Sequence, residues 1–213
     1  MNHREIEVEK SHWARFLSSR LDDAAFDLMQ SIVVTDYGRN NENSGLELGC
    51  GEGRLVERIP NLVGIDYAML GLRTRLQQHL PLVCADASFL PFERHSFDYA
   101  VTNSLHHMPF RETIPELVRV LRTGGVLHCF EPNRWHIYNL FFNQTGGKTI
   151  VGDRGFFPHE LARTLNMAGF RDIQWRYIVL NMEYLKLLTR IQRIAQIIPS
   201  RYFQAWFYLR AVR

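Results

Sequence analysis

The stretch Gly45-Leu46-Glu47-Leu48-Gly49-Cys50-Gly51-Glu52-Gly53-Arg54 constrains the fold more than any other part of the chain. A short apolar run that ends in glycines at every second position reads as a strand entering a tight turn, with a helix starting near Arg54. Such a turn lets the backbone approach a ligand closely and aim main-chain N–H groups at it, and the helix N-terminus adds a field that favours a carboxylate or phosphate. An ordinary strand-to-helix turn is the bland alternative, but it does not need three alternating glycines.

The rest of the chain continues the pattern. Short apolar runs at Gly45 to Leu48, Leu62 to Ile65, Leu82 to Ala85, Phe97 to Thr102 and Val126 to Glu131 read as strands, with two more at Asp172 to Val179 and Trp206 to Val212. Helical candidates lie near Gly53 to Ile59, Ala68 to Leu80, Arg111 to Leu121 and Pro158 to Ala168. Strands alternating with crossover helices predict a doubly wound α/β domain with a mostly parallel seven-stranded sheet; the last two strands, with no crossover helix after them, form an antiparallel C-terminal edge. Residues 1–43 read as an N-terminal helical segment that packs on or caps the core, since Trp13, Phe16, Leu17, Leu21, Ala24, Ala25, Leu28 and Ile32 recur at three- and four-residue steps. Residues 44–213 form the main domain, with insertions at 132–157 and 181–199 on the substrate side.

With 213 residues and 46% of them hydrophobic, one core is sufficient. The formal charge of +3 implies no nucleic-acid partner, although no acid follows Glu183 while Lys186, Arg190, Arg193, Arg201, Arg210 and Arg213 do. Cys50, Cys84 and Cys129 are far apart and read as reduced, buried small residues, suggesting neither a disulfide framework nor a zinc cluster. The start of the chain lacks the apolar core of a signal peptide, and no apolar run reaches the ~18 residues of a membrane span. A cytoplasmic location is the default expectation.

The glycine turn has the spacing G-x-G-x-G with Glu47 two residues before it, not the G-x-G-x-x-G of dinucleotide folds. Here the sequence resembles the class I S-adenosylmethionine-dependent methyltransferases, in particular their small-molecule, type 11-like members. Further positions follow in order: Val63-Gly64-Ile65-Asp66-Tyr67, Cys84-Ala85-Asp86-Ala87, Phe97-Asp98 leading to Asn103-Ser104-Leu105-His106-His107, and Glu116 to Leu127 with its Gly124-Gly125 turn. The resemblance covers about residues 44 to 180. It implies a Rossmann-like fold and S-adenosylmethionine as cofactor, held by Glu47, Gly49, Cys50, Gly51 and Gly53. Asp66, beside Tyr67, accepts from the ribose hydroxyls in this reading; as a plain helix cap it serves the segment from Ala68 instead. The resemblance also places Asp86 and Ala87 at the adenine, and Asn103 and Leu105 at the methionine end.

Methyl transfer needs alignment and exclusion of water more than a covalent catalyst. His106 and His107 are the base candidates, because they follow the fourth strand at the sheet edge where ligands bind; the bland reading has one packing on the cofactor and the other solvated. Adjacent histidines rarely share a metal, and no matching carboxylate cluster appears, so no metal is expected. Glu131, His136 and His159 are weaker candidates. The aromatics of 132–157, including Trp135, Phe156 and Phe157, line a lid over an apolar acceptor or simply anchor the insertion. An amphipathic stretch at 183–198, with the basic residues up to 213, roofs the acceptor pocket, rests on a membrane surface, or packs on its own domain.

The Asn/Asp-Pro-Pro-aromatic motif of nucleic-acid amino-methylating enzymes is absent after the fourth strand, as are paired arginine-methyltransferase glutamates. A small-molecule or lipid- or saccharide-intermediate acceptor is what this leaves. Two other classes stay open: a catalytically silent S-adenosylmethionine-binding partner module, and a nicotinamide-dependent oxidoreductase.

Overall fold

The central strands sort their side chains between two apolar layers with a period of two, as pleated strands do. In β1 (Gly45–Leu48) Leu46 and Leu48 enter one cluster; in β4 (Phe97–Thr102) Ala100 enters that cluster, while Tyr99 and Val101 enter the other. The computed structural model describes residues 22–37, 42–73, 79–136, 155–178 and 206–213. Its remaining elements are α1 (Asp22–Tyr37), β2 (Leu62–Asp66), α2 (Met69–Arg73), β3 (Leu82–Cys84), α3 (Phe110–Val120), β5 (Leu121–Pro132), α4 (Pro158–Met167), β6 (Arg171–Ile178) and β7 (Trp206–Val212).

The seven strands form one sheet in the order β3-β2-β1-β4-β5-β7-β6. Pairs among β1 to β5 are parallel, and β7 runs antiparallel to both β5 and β6. The doubly wound sheet with an antiparallel C-terminal edge is therefore the observed architecture. One apolar layer is covered by α3, through Ile114, Leu117 and Val120, and α4, through Leu161 and Leu165. The other takes Phe26, Met29, Ile32 and Val33 of α1 together with Leu55, Val56 and Ile59. Chain order reverses between β1 and β4, which makes the C-terminal ends of these two strands the topological switch point of the sheet.

Local readings need adjustment in four places. Residues 51–58 form successive turns instead of the helix expected from Gly53 to Ile59: Glu57 N–H reaches Gly53 O at 3.0 Å, while Arg58 N–H reaches Leu55 O at 3.0 Å, a three-residue step. Gly53 at φ 79° starts outside helical space and Pro60 ends the segment, leaving too few residues to propagate a helix. Strand β5 begins at Leu121, five residues before the expected Val126, across a register shift between Phe97 and Tyr99. The expected helix at Ala68 to Leu80 is seen as Met69–Arg73, with residues 74–78 outside the described ones. Cys84 is exposed, unlike Cys50 and Cys129, because it ends the edge strand β3.

Residues 1–21, the greater part of the 132–157 insertion and the 183–198 stretch lie outside the described residues. Two cations of the basic C-terminal region are described and work inside the fold. Arg210 Nε lies 3.5 Å from Asp36, and Arg213 Nη1 donates to Leu121 O. No helix among the described residues is long and apolar enough to cross a membrane.

Candidate functional site

The loops after β1 and β4 meet at the switch point, and glycine is what lets them. Gly49 sits at φ 73°, and a Cβ there would lie 2.6 Å from Ser104 Cβ. Gly51 and Gly53 also have positive φ, at 56° and 79°. The turn differs from the sequence expectation in one chemical respect. Its N–H groups are consumed internally: Gly49 and Cys50 both donate to Ile65 O at 2.9 Å, Gly51 to Asp66 Oδ2 at 2.8 Å, and Gly53 to Cys50 O at 2.8 Å. At Gly49 and Gly53 the missing side chains make room for Ser104 and Leu82, and these four N–H groups already have acceptors within the protein.

Asp66 serves as the latch of this turn. Its Oδ2 accepts from Gly51 N–H and its Oδ1 from Ala68 N–H at 2.7 Å. The capping geometry is thus present, with both oxygens accepting main-chain hydrogens at the C-terminal end of β2. Tyr67 next to it is exposed, as is Asp86, whose Oδ1 accepts from Ser88 N–H at 2.8 Å; Ala87 beside it is buried. Phe89 is 79% exposed on the same loop, leaving an open aromatic face beyond β3.

Glu47 lies in the middle of β1, 1% exposed, with Oε2 lacking a hydrogen-bond partner. Burial, reinforced by the Asp66 carboxylate, pushes its carboxyl well above the usual carboxylate range, against the pull of the Val56 main-chain N–H. Burial likewise pushes the Cys50 thiol up, helped by Glu47 and Asp66. An unpaired buried acceptor, a turn cleared of Cβ atoms and exposed aromatic and carboxylate groups along one edge fit a nucleoside-bearing cation such as S-adenosylmethionine.

On the β4 side, Thr102 Oγ1 donates to Leu48 O at 3.1 Å and accepts from Ser104 N–H at 3.1 Å, clamping the two strand ends together. Asn103 Oδ1 accepts from Ser104 Oγ at 2.9 Å. A single 3₁₀ turn, Leu105–His107, follows; Leu105 is fully buried, His106 partly buried and His107 exposed. Glu131, fully buried near the end of β5, receives Leu105 N–H on Oε1 at 2.9 Å, and His106 N–H and Nδ1 on Oε2 at 3.3 and 2.7 Å. The two histidine rings stand 3.9 Å apart, centroid to centroid.

Beyond Glu131 the ends of the 132–157 insertion are tied together by an Asn133–Phe156 bridge and an Arg134 N–H to Phe156 O bond of 3.0 Å. Trp135 lies 4.7 Å from Phe157, the Arg134 guanidinium 4.9 Å from the same ring, and His159 5.8 Å from it. Phe110, just past the histidines, meets Phe156 at 5.3 Å. His136 is buried, which lowers its pKa, and its Nε2 has no partner among the described residues.

The fold thus brings Glu47, Gly49, Asp66, Asn103, Leu105, His106 and Glu131 to one edge of the sheet, with Asp86 farther out along β3. Sequence reasoning ranked Glu131 low and missed Thr102 entirely, since neither sits in a motif of its own. It also missed the Glu116–Arg119 clamp, which holds the Asp86 loop through Leu90 N–H to Glu116 Oε2 and Arg119 to the carbonyls of Phe92 and Leu90. The Arg119 guanidinium holds the Glu116 carboxyl below its usual range. Their i, i+3 spacing on a helix was the available signal.

Comparison with known proteins gives a consistent picture. A family model for a methyltransferase domain matches residues 46–129. An uncharacterised protein of Methanocaldococcus jannaschii is 31% identical over 102 residues, 45% of this chain and 41% of that protein, so the chain spans less than half the length of that relative. A demethylmenaquinone methyltransferase of Staphylococcus aureus is 31% identical over 165 residues, covering 67% of this chain and 68% of the relative. Among solved structures, a SAM-dependent methyltransferase from Archaeoglobus fulgidus superposes with a TM-score of 0.65 at 16% identity, over 88% of this chain and 94% of the other.

Proposed function

Because the chain belongs to the class I S-adenosylmethionine-dependent methyltransferases, we propose that it methylates an acidic hydroxyl, carbon or nitrogen of a small molecule with an apolar, aromatic body. The observation that carries this reading is the meeting, at one switch point, of a glycine turn packed on the Ser104 loop with a histidine anchored on a buried carboxylate. When bound, S-adenosylmethionine supplies a methyl group activated by sulfonium charge. Glu47, Gly49, Cys50, Gly51 and Gly53 form its bed in this proposal, with Asp66 and Tyr67 at the ribose, Asp86 and Ala87 at the adenine, and Asn103 and Leu105 at the methionine end.

The side chains then have distinct tasks. Thr102 fixes the spacing of the two loops, so the reacting groups meet in a fixed orientation. His106 takes the acceptor's proton. Its Nδ1 is committed to Glu131, which leaves Nε2 for that exchange. His107, exposed beside it, contacts the acceptor. Trp135, Phe157 and Arg134 offer a flat aromatic and cationic wall suited to a planar ring that becomes anionic when deprotonated. The S. aureus relative is named for a quinone-type acceptor, which agrees with that wall.

The test pairs calorimetry with label transfer. The chain should bind S-adenosylmethionine and not NADH, and should move label from [methyl-³H]S-adenosylmethionine to a member of a panel of hydroxylated naphthalenes and reduced quinones. NADH binding without S-adenosylmethionine binding overturns the assignment. Tight cofactor binding with no label moved to the panel or to a host metabolite extract establishes a silent binding module instead.

A further inference from the structure

Three nitrogens converge on the carboxylate of Glu131, and their order along the chain is unusual. Leu105 N–H, His106 N–H and His106 Nδ1 come from two consecutive residues of one 3₁₀ turn, whereas the acceptor is 25 residues away on β5. The backbone of the turn and its side chain are therefore held by the same group. The two main-chain N–H groups are fixed donors, one to each oxygen of the carboxylate. With both oxygens already accepting, the 2.7 Å contact is read as Nδ1–H donating to Oε2.

We infer that Glu131 is a positioning residue that locks His106 as its Nδ1–H tautomer and so makes Nε2 the base of the methyltransferase site. The inference rests on the reading of that site given above. In the step concerned, the acceptor's O–H bond breaks, its proton moves to Nε2, and the electron pair stays on the acceptor oxygen. The imidazolium formed then faces the buried Glu131 carboxylate, which offsets its charge without itself taking the proton. The main-chain bonds matter equally. They keep the carboxylate from rotating away, so the ring is oriented before any acceptor arrives.

Long-range ¹⁵N NMR of the full-length labelled chain tests this, with the spectrum of His106→Gln used to identify the ring signals. In the wild type, neutral His106 should carry its proton on Nδ1. In Glu131→Gln the side-chain amide presents a donor to one of the three nitrogens, and the ring should revert to Nε2–H or a mixture. Methyl transfer to a panel member that accepts label should fall by about 10²–10³-fold, a larger factor than any loss of affinity for S-adenosylhomocysteine. An Nε2–H tautomer in the wild type overturns the proposal, as does an unchanged Nδ1–H tautomer in Glu131→Gln. If Glu131→Gln does not fold, the wild-type spectrum decides by itself. Calorimetry with S-adenosylhomocysteine separates the two claims: absent binding defeats the cofactor reading and leaves the tautomer measurement standing, whereas intact binding with an unchanged tautomer defeats only the role of Glu131.

Discussion

Two buried glutamates, Glu47 on β1 and Glu131 on β5, stand on either side of β4 and are treated in opposite ways. Glu47 keeps an oxygen without a partner, and its burial beside Asp66 favours the neutral carboxyl. Glu131 receives three N–H donors and anchors a histidine. In the site we propose, the donor half is thus left incomplete for a ligand to finish, while the acceptor half is finished by the protein itself. The difference teaches where each half gets its precision: from close backbone packing of the glycine turn after Glu47, and from side-chain bonds around Glu131.

Replacing Glu131 by alanine should expose that asymmetry most strongly. Three donors lose their acceptor, one of them on the fully buried Leu105, so urea unfolding at pH 7.5 should show a loss of roughly 2–5 kcal/mol. A loss under 1 kcal/mol means the turn is held by other contacts and the contrast with Glu47 is empty.

The next largest effect sets the pH window for such measurements. His128, fully buried with Nδ1 2.9 Å from Tyr208 Oη, has a pKa lowered by burial from 6.5 to about 4. The unfolded chain therefore takes up this proton first, and stability present above pH 6.5 is lost as pH falls toward 4. The wild type should lose about 3 kcal/mol more than His128→Gln over that range by urea titration. Parallel curves for the two proteins contradict the assignment and allow the glutamates to be compared at lower pH.

Gly49→Ala probes the donor half where the glycine turn packs on the Ser104 loop. A positive φ and a Cβ 2.6 Å from Ser104 Cβ should cost about 2 kcal/mol of stability. Calorimetry should show S-adenosylmethionine affinity falling at least tenfold; unchanged affinity places the cofactor elsewhere.

Glu47→Gln is the smallest and the most diagnostic change. A carboxyl whose folded pKa is raised contributes fully below its unfolded value and loses that contribution as pH rises. The variant should therefore gain about 1 kcal/mol over wild type at pH 8 and nothing at pH 5, while binding the cofactor more weakly. Equal destabilisation by Glu47→Gln and Glu131→Gln at pH 8 erases the distinction between the two halves.

The donor half was largely legible in the chain. The alternating glycines and Asp86 follow strands at short range, Asp66 ends one and Glu47 lies within one, and local spacing is enough to place them near one edge of a parallel sheet. Their hydrogen bonds were not legible: the turn's N–H groups turn inward to Ile65 and Asp66, a choice made by β2 lying beside β1. The helix expected after Gly53 failed for a local reason, the left-handed glycine and Pro60 leaving too short a segment. Glu131 could be placed at the end of a strand, but nothing in its neighbours announces a contact 25 residues back.

By itself, then, the sequence determined the parallel character of the first five strands, the position of the glycine turn and the class of cofactor, because these depend on periodicity, spacing and glycine's freedom within a few residues. Tertiary structure alone decided which buried carboxylate keeps an open oxygen and which one holds His106. That decision depends on where β1, β4 and β5 end relative to one another, and strand register in a parallel sheet is set by packing across the whole layer.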